Sequence, residues 1–223
     1  MSLKKIAQEA QIKRKILIWY RNNARPLPWR KKSDKKLPNP YHIFVSEFML
    51  QQTTVNAVIP RFNEFIRVWP TIEKLSKIRE SRILKFWSGL GYYTRARNLL
   101  ESSKLIANKH NYIIPKQYRY LIKFPGVGEY TAKAIQGIAF NKPVMPIDSN
   151  IRRILARIYG ITGAIRDVES QIDRLAKMKR GHGLLRDSQD IAFINENVKR
   201  KKDLNNDFIF YTEGFNLRST ELS

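Results

Sequence analysis

Apolar residues recur along this chain at spacings of three and four, the period of helices that bury one face. Ile12, Ile16, Trp19 and Tyr20 make one stripe, which stops before Asn22 and Asn23. Residues 25–41 form a basic connector in which Pro26, Pro28, Pro38 and Pro40 preclude a continuous helix. The pattern predicts a second helix over 43–58, with Glu47, Gln51 and Gln52 set among apolar neighbours. Shorter helices are predicted over 61–68, after the Pro70-Thr71 start signal, and over 81–87. Gly89-Leu90-Gly91-Tyr92-Tyr93 interrupts the period, and Ala96, Leu99, Leu100 and Ile106 resume it. Pro115 opens a further helix that ends at Phe124-Pro125, and 130–140 and 150–159 also read as helices. Between those two, Lys142-Pro143-Val144-Met145-Pro146 is expected to be extended, because a proline disfavours helix in the residue before it. No stretch alternates as a strand should, so the predicted class is all-α, with many short helices and no internal repeat.

The period fades from about Met178. The remaining residues include Gly181-His182-Gly183, the run Lys199-Arg200-Lys201-Lys202 and the aromatics Phe208, Phe210, Tyr211 and Phe215, without sustained spacing. The expected organisation is therefore a main region over 1–177 and a separate, weakly ordered tail over 178–223.

Charge narrows the choice of partner. The 223 residues carry a formal net charge of +23, with a pI near 10.3. About 34 basic and 12 acidic side chains lie within 1–177, so the excess belongs to the main region. A field of that sign favours a polyanion such as nucleic acid or an acidic membrane surface. No apolar run approaches a membrane span of roughly twenty residues, and the start is polar, without a signal-peptide core. A soluble intracellular protein with no membrane partner is expected. The absence of cysteine excludes disulfides, thiolate nucleophiles and cysteine-ligated metal. His42, His110 and His182 lack ligand spacing and read as surface or loop residues; no metal site is expected.

Candidate chemistry begins at Phe124-Pro125-Gly126-Val127-Gly128-Glu129-Tyr130. A Pro-Gly-x-Gly turn between helices can offer bare backbone amides to a phosphate, and the start of the next helix adds partial positive charge. A tight helix connection that merely needs glycine would give the same pattern. Glu47 lies among Val45, Phe48, Met49 and Leu50; partial burial there would raise its pKa and keep a proton available near neutral pH. A surface glutamate on an amphipathic helix is the alternative. In Pro146-Ile147-Asp148-Ser149-Asn150, any of the last three can cap the helix beyond them, and a cap also holds a carboxylate ionised in a fixed place. Two carboxylates in different environments suit glycosidic cleavage, one protonating the leaving group and one stabilising an oxocarbenium-like transition state. A nucleobase leaving group would first have to be swung out of the duplex. Tyr92 and Tyr93, flanked by glycines, could wedge into the stack left behind, although for Tyr93 a core position is preferred.

At these residues the chain resembles the DNA glycosylases of the helix-hairpin-helix superfamily, and within it the adenine DNA glycosylases of the MutY type. The similarity runs from about Ile12 to Leu175. It rests on Leu27-Pro28-Trp29-Arg30, Ser46-Glu47-Phe48-Met49-Leu50-Gln51-Gln52-Thr53, Gly89-Leu90-Gly91-Tyr92-Tyr93, Phe124 to Thr131, and Asp148-Ser149-Asn150, in the family's order. The resemblance implies a helix-hairpin-helix glycosylase fold, with a core over about 40–140 and a second lobe from the N-terminal helix plus 146–177. It implies a monomer acting in base-excision repair at the nucleoid, with double-stranded DNA containing an adenine mismatch as partner. The reaction would be removal of adenine opposite 8-oxoguanine or guanine.

By that resemblance Glu47 would protonate adenine, at N7, and activate water. Asp148 would stabilise the sugar cation, Asn150 would hold the water and Glu47, and Tyr130 would lie against the reaction centre. Arg30 and Glu47 would frame the base pocket. Gln52, Thr53, Leu90 and Tyr92 would surround the opposite strand, with Tyr92 as the wedge, and Gly126, Val127 and Gly128 would bind a phosphate. Related glycosylase-lyases carry a lysine where Tyr130 stands; a phenol cannot form a Schiff base, so a monofunctional enzyme is expected. Lys133 is one helical turn further on. Family members usually bind a four-iron cluster through four cysteines and add a Nudix-like C-terminal domain. With no cysteine here, no cofactor is expected, the second lobe reads as incomplete, and the tail as a truncation or frameshift product, with a genuine replacement as the alternative. A thymine or uracil mismatch glycosylase of the same fold, and an inactive DNA-binding remnant, are the other readings.

Overall fold

Asn39 starts the helix around which the others assemble. Its side-chain oxygen accepts a hydrogen bond from the Tyr41 amide at 2.9 Å, and Pro40 supplies a first helical residue that needs no amide partner. The computed structural model describes residues 3–30 and 37–159. Its helices are α1 (Leu3–Asn23), α2 (Pro40–Met49), α3 (Val55–Val68), α4 (Ile72–Ser76), α5 (Glu80–Trp87), α6 (Thr94–His110), α7 (Tyr118–Leu121), α8 (Glu129–Phe140) and α9 (Ser149–Tyr159). A 3-10 turn, Pro28–Arg30, lies between α1 and α2. Among the described residues there is no strand, as the sequence predicts.

Two helices run through the core with nearly every face covered. Ile43 to Met49 of α2 are all buried, and so are Thr131 to Ala139 of α8. In α8 the small residues Ala132, Ala134, Gly137 and Ala139 allow its backbone to approach α2 closely. A helix buried all round lacks a polar stripe, which is why its periodicity reads weakly in sequence. The 3-10 turn packs on α2 and α3 through Trp29, whose ring meets Phe62 edge-on at 5.2 Å. On the far side of α3, the rings of Phe65, Trp69 and Phe86 stand 4.8 to 5.4 Å apart and join it to α5. Helices α4 and α5 pack on α6. Ile151 and Leu155 of α9 form a separate small cluster with Met145, Ile147 and Ala156.

The predicted helix over 43–58 is two helices. The chain leaves α2 at Met49, turns through Leu50–Thr54 with Gln52 in the left-handed region (φ 54°), and re-enters helix at Val55. Continuous apolar character hides this break, because the turn itself is packed: Leu50 is buried and Thr53 half-buried. Conversely, the short helix predicted over 61–68 begins earlier and passes through Pro60, which lacks one ladder hydrogen bond. Thr71 caps α4 by accepting from the Lys74 amide at 3.2 Å. The helix opened by Pro115 is a single turn, Tyr118–Leu121. Tyr93 is exposed rather than part of the core, whereas His42 and His110 are half-buried. His182 and the expected tail over 178–223 lie outside the described residues.

His42 gives the fold a titratable point. It lies edge-on to Phe62 at 5.7 Å, and burial lowers its pKa below the ordinary value of about 6.5. The unfolded chain therefore takes up the proton first as pH falls. Stability contributed at neutral pH is lost below about pH 6.5, down through the lowered folded-state value. Urea midpoints at pH 7.5 and 5.5 should differ less in His42→Gln than in the wild type; an identical difference in both would show that His42 is not the titrating group.

Candidate active site

The glycine turn brings α7 to α8, and its two glycines sit in unlike surroundings. Gly126 has φ +75°, and a Cβ there would lie 2.8 Å from Phe48 Cε1 and 2.9 Å from Asn98 Cβ. No side chain fits: the turn backbone rests directly on α2 and α6. Gly128 is extended (φ −80°) with open space where its Cβ would point. Nothing among the described residues demands glycine at 128, and its backbone lies open to approach from outside.

That backbone is rich in donors. Gly128 precedes α8 without a side-chain cap, leaving the first amides of the helix without intrahelical partners. The Val127 amide is turned inward and donates to the Phe124 carbonyl at 3.0 Å, so it does not belong to the exposed set. Val127 itself is buried, anchoring the turn. A carboxylate at this helix start, Glu129, would repel a phosphate if left uncompensated. Lys133, one turn on and buried, donates to it. The amine of Lys133 is thereby engaged, one helical turn from Tyr130, which is half-buried against the core.

Glu47 is buried on α2, 5% exposed, and is followed by Phe48, the residue on which Gly126 rests. Gln51, beyond the end of α2, donates from Nε2 to the Gly126 carbonyl at 3.1 Å. The acid-bearing helix and the hairpin are thus fastened together at successive points. Asp148, of the three candidate caps, is the one used: Oδ1 accepts from the Ile151 amide at 2.8 Å and fixes the carboxylate at the start of α9. Asn150 Nδ2 lies 3.5 Å from Asp148 Oδ2, while its Oδ1 accepts from Arg153 at 3.0 Å. One carboxyl is inside the core and the other is half-exposed at a helix start, the two unlike settings that glycosidic chemistry uses.

Arg30 is half-buried on the 3-10 turn, its Nη1 donating to the Tyr20 hydroxyl at 3.3 Å. Gln52 and Tyr92 stand out at the surface, and Tyr92 is 63% exposed. Both are non-glycine residues with positive φ, 54° and 49°. Thr53 is half-buried and Leu90 is buried under its own loop.

Sequence reasoning missed the residues that hold these parts. Arg95, Asn98 and Ser102 lie along one side of α6. Arg95 grips the Leu50–Thr54 turn and the Gly89–Tyr92 loop, Asn98 backs Gly126, and Ser102 Oγ donates to the Pro125 carbonyl at 3.0 Å. One signal was available: Arg95 is one helical turn before Leu99, on the apolar stripe, where a cation is out of place unless it binds something.

Residues 45–179 match the family described as HhH-GPD superfamily base excision DNA repair protein. The chain is 46% identical over 147 residues to an adenine DNA glycosylase of Buchnera aphidicola subsp. Baizongia pistaciae, covering 66% of this chain and 40% of that protein. It is 34% identical over 160 residues to an adenine DNA glycosylase of Homo sapiens, covering 70% of this chain and 29% of the human protein. The chain thus spans less than half the length of these relatives. A solved thermostable thymine-DNA glycosylase superposes with a TM-score of 0.61 at 26% identity, covering 68% of each chain.

The two glycines should separate by experiment. Gly126→Ala combines a strained φ with a clash and should cost about 2–4 kcal/mol in urea unfolding. Gly128→Ala should cost less than about 1 kcal/mol yet weaken duplex binding; unchanged binding would refute the phosphate reading of the turn.

Proposed function

The chain belongs to the HhH-GPD superfamily of base excision DNA repair proteins, and we propose that it is a monofunctional glycosylase removing adenine mispaired with 8-oxoguanine or guanine. The observation that carries this reading is two carboxyl groups held in unlike settings: Glu47 inside α2, the helix to which the hairpin is fastened, and Asp148 at the cap of α9. The names of the similar relatives support adenine as the base.

The chemistry is set by those surroundings. The hairpin amides bind a backbone phosphate without reading sequence, and the +23 charge supplies the salt-dependent part of the affinity. The target adenosine is turned out of the duplex, and Tyr92 takes the space it leaves. Glu47 gives its proton to N7, the C1′–N9 bond breaks with its electron pair moving into the base, and neutral adenine departs. The Asp148 carboxylate stabilises the sugar cation electrostatically. Water adds at C1′ and returns a proton to Glu47. Tyr130 offers no amine, and that of Lys133 is held by Glu129, so the sugar is released as a free abasic site.

In single-turnover assays followed by hot alkali, duplexes with adenine opposite 8-oxoguanine or guanine should be cut. Glu47→Gln should be at least about 100-fold slower, and borohydride should trap no covalent protein–DNA complex. Cutting confined to a thymine–guanine duplex would favour the alternative suggested by the thymine-DNA glycosylase likeness. Salt-dependent binding with no cutting above the Glu47→Gln level would leave only a DNA-binding remnant.

A further inference from the structure

Gln52 and Tyr92 belong to segments forty residues apart, yet a single buried guanidinium joins the two. Nη1 of Arg95 is shared among the carbonyls of Met49, at 2.8 Å, and Gln51 and the hydroxyl of Thr53, at 2.9 Å, with the Phe48 carbonyl at 3.4 Å. Nη2 donates to the carbonyls of Leu90 at 2.8 Å and Gly91 at 3.0 Å. The guanidinium also faces the rings of Trp87 and Tyr92, 5.7 and 5.5 Å from their centroids. Only a planar fork can donate to both segments at once; an ammonium is a point donor on a thinner stem. The same group places positive charge at the C-terminal carbonyls of α2, where the helix dipole is negative.

We infer that Arg95 is the positioning residue for mismatch discrimination, setting the spacing and tilt of Gln52 and Tyr92 as one two-pronged element. Each prong sits on a left-handed backbone that a glutamine or tyrosine adopts only when its surroundings enforce it. Arg95 binds the carbonyl just before each prong, Gln51 for Gln52 and Gly91 for Tyr92. The correspondence is too regular for a residue that merely fills the core. Ser102, on the same side of α6, supports the hairpin instead, so the helix separates two tasks: backbone grip at its middle and strand reading at its start.

This role for Arg95 rests on the glycosylase reading above, and its test distinguishes the two. The full chain would be titrated with a duplex containing adenine opposite 8-oxoguanine and with its fully paired counterpart, and the ratio of dissociation constants taken as discrimination. Arg95→Lys should reduce that ratio at least about tenfold while paired-duplex affinity changes little. Amide exchange should quicken together at 50–53 and 90–92. Ser102→Ala should lower affinity for both duplexes by the same factor and leave the ratio intact. If Arg95→Lys does not fold, Thr53→Val decides, since it removes one acceptor and adds no charge; it should lower the ratio about threefold. Discrimination retained in the folded Arg95→Lys, or in Thr53→Val where that variant decides, overturns the inference. Equal binding of both duplexes by the wild type overturns the functional reading and this inference with it.

Discussion

A guanidinium withdrawn from water must be met by acceptors or the fold loses several kcal/mol. Arg95 meets that constraint at both Nη atoms, with the carbonyls of Met49 and Gln51 on one side and of Leu90 and Gly91 on the other. The consequence is geometric. The Leu50–Thr54 turn and the Gly89–Tyr92 loop cannot move apart without exposing a charge to unsatisfied burial, so two segments that would ordinarily be mobile are fixed to α6. Positive φ at Gln52 and Tyr92 is sustained by the same demand.

The hairpin is held by a parallel arrangement. Ser102 and Gln51 each bind a carbonyl of the Pro125-Gly126 step, and the missing Cβ of Gly126 lets the turn lie on Phe48 and Asn98. The hairpin, the helix that carries Glu47, the Leu50–Thr54 turn and the Gly89–Tyr92 loop therefore share one support. Such sharing suits a reaction in which a base must be expelled from a stacked duplex, because the cost of opening the duplex is recovered only if every contact is already in position. Asp148 is fixed differently, by the cap of α9, beside the small second cluster.

Much of the site was legible because its chemistry is local in sequence. Glycines at 126 and 128, a carboxylate within apolar neighbours at 47, and a cap-forming triplet at 148–150 each carry a pattern that short-range physics explains. The break between α2 and α3 was not legible, since its turn is buried and reads as continuous helix, and Pro60, which looks like a boundary, is absorbed within α3. Arg95 was harder to read: its place on the apolar stripe is the one signal, and in a sequence so basic a single cation stands out little until its burial is known.

By itself the sequence determined the all-helical class, the hairpin, the basic field and the residue types at the candidate positions, all set by local periodicity, backbone restriction and charge. Only the tertiary structure decided which of those residues share a support, which glycine answers to internal packing, and which capping residue is used. Those outcomes depend on atoms brought together from distant parts of the chain, where burial turns an ordinary arginine or serine into a determinant of geometry.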